Sequence, residues 1–232
     1  MSPPPSIVVI ASTMRSGSTL LKALLAEADD VLNLPETNFQ KQKTVDRILA
    51  EHDDSQPPIK VLKKPCWYHE AKSYPRLPQC ERLKTVALVR DVYDTVVSLR
   101  KMTFRWFANG AAPLVTNWLA RNYWVHVTRP LIELAHQSQD VMLVKYEELV
   151  TNPIETTRTL YEFIGSTRST GTKTYSPPST YSWRWGSDDG SNNIKSLEVQ
   201  PPRQKNRDEK RLVQLMENCE KIKSLRQELG YA

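Results

Sequence analysis

Cysteine is scarce in this chain, and long apolar runs are missing from it. Three cysteines, Cys66, Cys80 and Cys219, occur among 232 residues. Their spacing fits neither a zinc site nor a redox pair, and an odd number argues against a disulfide framework. A reducing, cytoplasmic setting is therefore expected. No stretch approaches the roughly 20 apolar residues that a bilayer-spanning helix needs. The start, MSPPPSIVVI, has no basic region and only a short apolar run, unlike a secretory leader. A large excess of one charge is lacking too. Lysine and arginine number 32 against 26 acids, a net charge of +6. The basic residues are scattered, which suits an anionic ligand better than a nucleic acid or a membrane surface. No internal repeat or low-complexity tract is present.

What remains is an ordinary globular balance, 39% hydrophobic and 25% charged. Strand and helix patterns alternate. SIVVIAS (6–12) is a continuous β-branched run of the kind buried in parallel sheets. Further strands are expected at 58–65, 83–90 and 140–146. STLLKALLAEA (18–28) has helical apolar spacing, and TVDRILAEH also reads as a helix. Asp91 is placed to cap a helix over DVYDTVVSLRKM. The stretch LVTNWLARNYWVHVTRPLIELAHQ predicts a long helix bent near Pro130. Asn152, Pro153 and Gly165 mark the cap, first turn and end of another helix.

This alternation predicts an α/β fold: a P-loop-like three-layer sandwich with a central parallel sheet flanked by helices. The whole chain, 1–232, reads as one domain. Residues 166–207 form an irregular lid or binding loop, and 208–229 a single C-terminal helix. Ligands of such sheets sit at the carboxyl ends of strands. The informative loops are then 12–18, 33–37, 63–68 and 90–91.

The first of these has the form of a phosphate cradle without the usual lysine. Aligned on Gly17 with G-x-x-x-x-G-K-[ST], the chain has Ser12 at the first glycine, Ser18 at the lysine and Thr19 at the hydroxyl position. Backbone N–H groups at a helix N-terminus still hold an anion. Without the lysine, and with no clear acidic partner for magnesium, triphosphate chemistry is disfavoured. Arg15 supplies a charge from another position in the loop. The plain alternative is a serine-capped helix with no ligand.

MRSGSTLL resembles the 5′-phosphosulfate loop of sulfotransferases that use 3′-phosphoadenosine 5′-phosphosulfate (PAPS). LVRDVYDTVVSLRK resembles that family's 3′-phosphate motif, R-D-P-x-x-x-x-x-S, with Arg90, Ser98 eight residues on, and Val92 in place of proline. The resemblance implies PAPS as donor, 3′,5′-bisphosphoadenosine (PAP) as product, and no metal. It assigns Arg15, Ser16, Gly17, Ser18, Thr19, Arg90 and Ser98 to the donor. Tyr146, in VKYEEL, and Ser187 and Lys195, in GSDDGSNNIKSL, are further donor candidates, with core or solvated roles as the alternatives.

The segment PET (35–37) is similar to the G-E-E-T segment of tyrosylprotein sulfotransferases, and Glu36 lies 21 residues after Arg15. Glu36 is thereby implied as general base. KVLKKP resembles the family's K-x-P element, which implies Lys63 as the cation near the leaving oxygen. Aromatic residues in the variable segments suggest an acceptor pocket, with Trp67, Tyr68, His69, Trp106 and Trp183 as candidates. The expectation is sulfuryl transfer to a hydroxyl or amine of a small molecule of natural-product or secondary-metabolite type. A tyrosine-containing peptide is an alternative acceptor. A small-molecule kinase and a non-catalytic nucleotide-binding module are alternative classes.

Overall fold

The central strand β1 (Ser6–Ser12) explains the architecture. Its run of β-branched residues is buried on both faces, so it must lie inside a sheet covered on both sides. The computed structural model describes residues 6–53, 55–103, 112–183, 193–202, 204 and 207–231. Among them is a five-stranded parallel sheet, with β2 (Val31–Asn33), β3 (Ile59–Lys63), β4 (Leu83–Val89) and β5 (Val141–Lys145) in the order β2-β3-β1-β4-β5. From β1 the chain goes to the edge at β2, fills back in with β3 beside β1, and then crosses to the other side. That reversal opens a crevice at the carboxyl end of β1.

Register sets which residues meet there. Ile10 pairs with Lys63, and Ser12 pairs with Leu88. An isolated bridge between Thr13 and Cys66 extends the β1–β3 seam past both strands.

Alternate residues of β1 feed two cores. Ile7, Val9 and Ala11 pack under α3 (Val92–Thr103), α5 (Val125–Gln137) and α9 (Glu220–Glu228). Val8 and Ile10 pack under α1 (Ser18–Leu25) and α7 (Pro153–Ile164). The expected three layers are thus present. Asp91 caps α3, its Oδ1 accepting the Tyr93 N–H at 3.1 Å. Gly165 closes α7 with φ 75°, and Asn152 and Pro153 open it, although the Asn152 side chain makes no cap bond. The described helices also include α2 (Gln42–Ala50), α4 (Ala112–Trp118), α6 (Tyr146–Thr151) and α8 (Arg207–Glu217).

Three differences from the sequence reading have physical causes. Strand β2 is only three residues long, too short to carry a periodic signal. The expected bend at Pro130 is instead a π turn over Leu119–Trp124, and α5 runs through Pro130. The extra residue of that turn lets neighbouring Tyr123 and Trp124 both point inward. The tail helix is divided. Cys219 adopts extended backbone (φ −100°, ψ 110°), and the chain re-enters a helix that buries Ile222, Leu225 and Leu229. No described helix is long and apolar enough to cross a membrane.

The irregular segment after α7 is docked through Gly171. A Cβ there would overlap the carbonyl oxygen of Ile154, and the adjacent Thr172 N–H donates to Thr157 Oγ1 at 2.7 Å. Gly171→Ala should lower stability by about 1–3 kcal/mol, the usual cost of overpacking. Urea unfolding checks this, and an unchanged midpoint would show that the contact yields freely.

Candidate active site

The loop between β1 and α1 leaves the sheet through two left-handed residues, Arg15 (φ 64°) and Gly17 (φ 93°). Gly17 is required here: a side chain on it would run into the Tyr146 ring. Arg15 carries a conformation that costs a non-glycine residue free energy, so the surroundings must hold it. They do so from the next strand. Arg90, just past β4, donates from Nη1 to the Arg15 carbonyl at 3.0 Å. Arg15 Nε donates to Ser98 Oγ on α3 at 3.1 Å. The Arg90 guanidinium lies 4.2 Å from the centroid of the Tyr146 ring. Arg15, Gly17, Arg90, Ser98 and Tyr146, from three segments of sequence, are therefore linked by contacts.

A second group forms on the β3 side. Lys63, 2% exposed, donates from Nζ to Thr19 Oγ1 at 2.8 Å and lies 3.3 Å from Glu36 Oε2. Glu36 is 24% exposed, so its carboxylate meets both the buried ammonium and the solvent side of the cleft. Two contacts fix its loop. The Thr37 N–H donates to the Lys63 carbonyl at 3.1 Å, and Lys22 Nζ donates to the Leu34 carbonyl at 2.6 Å. Of the remaining loop hydroxyls, Ser16 Oγ donates to the Thr13 carbonyl at 2.8 Å, and Ser18 opens α1 as its first residue.

Two buried tyrosines stitch the loop to the end of β3. Tyr74 OH accepts the Ser12 N–H and donates to the Lys64 carbonyl, both at 2.8 Å. Tyr123 OH accepts the Met14 N–H at 2.7 Å and donates to the Cys66 carbonyl at 2.6 Å. Burial, the largest influence, pushes both phenols well above their ordinary range, so each keeps the proton it donates.

The acceptor candidates are not all brought together. Tyr68 meets Tyr123 edge-on at 5.0 Å and Trp118 at 5.8 Å, and Trp67 packs beside them with Lys64 over its ring at 5.0 Å. His69 is exposed. Trp183 packs instead with Tyr175 against the core on the α1–α7 face of the sheet. Lys195 is exposed on a short helical turn, Ile194–Ser196. Ser187 and Trp106 lie outside the described residues. Sequence reasoning missed Lys22, Tyr74 and Tyr123. Lys22 left a faint signal, since it falls three residues after Thr19 on the helix face below the loop hydroxyls.

The site can be tested for fit to a doubly anionic nucleotide. Arg90 Nε, Ser12 Oγ and Thr13 Oγ1 are buried without a hydrogen-bond partner. Buried polar groups are normally satisfied, so three left over near one loop are consistent with a ligand that supplies partners there. Their position beside Arg15 and a glycine-shaped loop fits a nucleotide bearing separated anionic groups.

The fold is a parallel α/β sheet flanked by helices, with a basic loop at the point where the strand order reverses. Residues 5–176 match the family model described as the sulfotransferase domain, and the chain belongs to that family. Solved structures agree on the fold. The sulfotransferase domain from the curacin biosynthetic pathway matches with a TM-score of 0.57 and 17% identity, covering 100% of this chain and 99% of its own. The sulfotransferase domain from the Synechococcus PCC 7002 olefin synthase gives 0.61 and 16%, covering 100% and 97%. A mouse sulfotransferase complexed with PAP gives 0.59 and 13%, covering 100% and 90%. None of the curated proteins matches significantly in sequence.

Tyr123→Phe would strip the Met14 N–H and the Cys66 carbonyl of their shared partner while keeping the ring. The expected loss is about 1–3 kcal/mol, the cost of leaving buried polar groups unpaired. Chemical denaturation measures it, and wild-type stability in the variant would mean that the hydroxyl does not hold the loop.

Proposed function

We propose that this sulfotransferase moves the sulfuryl group of PAPS to a hydroxyl, or an amine, of a small-molecule acceptor, with Glu36 as general base. One observation carries the reading: Lys63 joins the loop hydroxyl of Thr19 to the carboxylate of Glu36, at 2.8 and 3.3 Å, at the tip of the strand beside the cradle. A base, a cation and an anion-binding loop thus share one point.

PAPS, when bound, supplies an activated sulfuryl group. The residues of this chain do the rest. Arg15, Arg90 and Ser98 form the grip for the 3′-phosphate, and the guanidinium fork gives it direction as well as charge. Gly17, Ser18 and Thr19, at the start of α1, face the 5′ end, where the helix terminus favours negative charge. Lys63 is fully desolvated, so its charge acts at short range on an oxygen that gains negative charge during transfer. Glu36 accepts the acceptor's proton. Its loop is pinned on both sides, by Thr37 and through Leu34, which keeps the carboxylate in place while the bond forms. Tyr68, Trp67 and the half-exposed Trp118 give an aromatic wall near this point that suits an apolar or aromatic acceptor. The similarity to domains from the curacin pathway and the olefin synthase supports an acceptor of natural-product type. The three free thiols are in keeping with action in the cytoplasm.

Glu36→Gln should bind PAP as wild type does but transfer sulfate roughly 10² to 10⁴ times more slowly, the usual loss for an acid–base group. Turnover by mass spectrometry and PAP binding by calorimetry give the two readouts. Undiminished turnover would remove Glu36 from the role. Arg90→Ala should weaken PAP by about tenfold to a hundredfold, the worth of a charged hydrogen bond, and weaken adenosine 5′-monophosphate clearly less, only through the loosened Arg15 loop. Equal weakening of both nucleotides would place the 3′-phosphate elsewhere.

A further inference from the structure

The end of the chain is tied to the residue next to Arg90 by a network that the mechanism does not use. Arg226, on α9, pairs in bidentate fashion with Asp91: Nε to Oδ1 at 3.2 Å and Nη2 to Oδ2 at 3.1 Å. Both side chains are only 14% exposed, so the pair is shielded from solvent and salt. The Arg226 guanidinium also lies 4.1 Å from the centroid of the Tyr93 ring. Just beyond α9, Tyr231 OH donates to Glu147 Oε2 at 2.8 Å. The other oxygen of Glu147 accepts the Asp91 N–H at 3.0 Å. Lys145 Nζ closes the set by donating to the Leu229 carbonyl at 3.2 Å.

These contacts converge on one peptide unit. Its carbonyl, that of Arg90, accepts from Trp124 Nε1 at 2.9 Å. Its N–H, that of Asp91, is taken by Glu147. The carboxylate of Asp91 is held by Arg226 while it caps α3, the helix that carries Ser98. The backbone from which the Arg90 side chain springs is therefore fixed on both sides, and one side is supplied by the last helix. Burial first, and the nearby Glu147 second, push the Tyr231 phenol up, so it stays a donor across the working range.

We infer that Arg226 and Tyr231 are positioning residues that hold the Arg90–Asp91 turn in the geometry needed to grip a 3′-phosphate. This rests on the reading that Arg90 binds that phosphate. Neither side chain needs to touch the nucleotide. They act by removing the freedom of the turn before binding, so less ordering is left to oppose it. The effect falls mainly on one end of the nucleotide, because the loop that faces the 5′ end is held by Tyr74 and Tyr123 as well as by Arg90.

The test is calorimetry on the full chain with PAP and with adenosine 5′-monophosphate, for wild type, Tyr231→Phe, Arg226→Met and Arg90→Ala. Tyr231→Phe and Arg226→Met should each weaken PAP by about threefold to tenfold, as expected for one lost hydrogen bond, and change the monophosphate less than about twofold. Tyr231→Phe should add nothing in an Arg90→Ala background, since a positioning residue has no effect once its target is gone. Thermal melts identify a variant that is merely unfolded, and Tyr231→Phe, which keeps the ring, guards against that outcome. Parallel weakening of both nucleotides, unchanged PAP affinity, or full additivity with Arg90→Ala would overturn the inference. A wild type that binds both nucleotides equally would instead overturn the assignment of Arg90 to the 3′-phosphate, and the inference with it.

Discussion

The hydrogen bond from Arg90 to the carbonyl of Arg15 is the contact on which the site depends. It joins the tips of adjacent strands across the crevice where the sheet reverses. It also holds Arg15 in a left-handed conformation that the residue would not otherwise keep. Two cationic residues are thereby tied to each other, the guanidinium of one to the backbone of the other. Like charges repel, and the cost is tolerable only if the scaffold is rigid. The scaffold is stiffened because three neighbouring backbone N–H groups are committed: Ser12 to Tyr74, Met14 to Tyr123, Asp91 to Glu147. A fixed concentration of positive charge is what makes a cleft selective for an anion, since little reorganises when the anion arrives.

The β3 side obeys a different constraint. Lys63 is buried, and a buried ammonium must be paired or hydrogen-bonded. Thr19 and Glu36 satisfy it. The same pairing brings a carboxylate to the cleft from a loop that would otherwise be free to swing. Stability and chemistry here make the same demand on the same residue.

Much of this was legible in the sequence where the signal is local. The loop 13–19 follows a β-branched strand and opens a helix, so its place could be read from the pattern of residues 6–25. Arg90 and Ser98 were legible because one ends a strand and the other lies on the helix that follows, eight residues on. Glu36 and Lys63 were found through spacing and resemblance, and the fold does bring them together. The tyrosines that hold the loop were not legible. Tyr74 lies 62 residues from the N–H it binds, and Tyr123 lies 109 from its own. Nothing in a linear pattern separates such a tyrosine from one that merely fills core. The same holds for Arg226, 135 positions from Asp91 on a helix whose charged face looks solvated. The break before Cys219 was hidden because the apolar spacing continues across it. Trp183 was grouped with Trp67 by composition, yet the sheet lies between the cores they pack against.

The wide turn at Leu119–Trp124 makes chain length itself a determinant of the cleft. An ordinary helix advances about 100° per residue. The wide turn accommodates one extra residue while its flanks keep nearly the phase of an ordinary helix, so removing one residue would tighten the turn without turning the flanks against each other. Tyr123 and Trp124, neighbours in sequence, could then no longer both face inward to the carbonyls of Cys66 and Arg90. Substitution at almost any exposed position of the helix is expected to be tolerated, whereas a single deletion there would cost at least one of these two tethers.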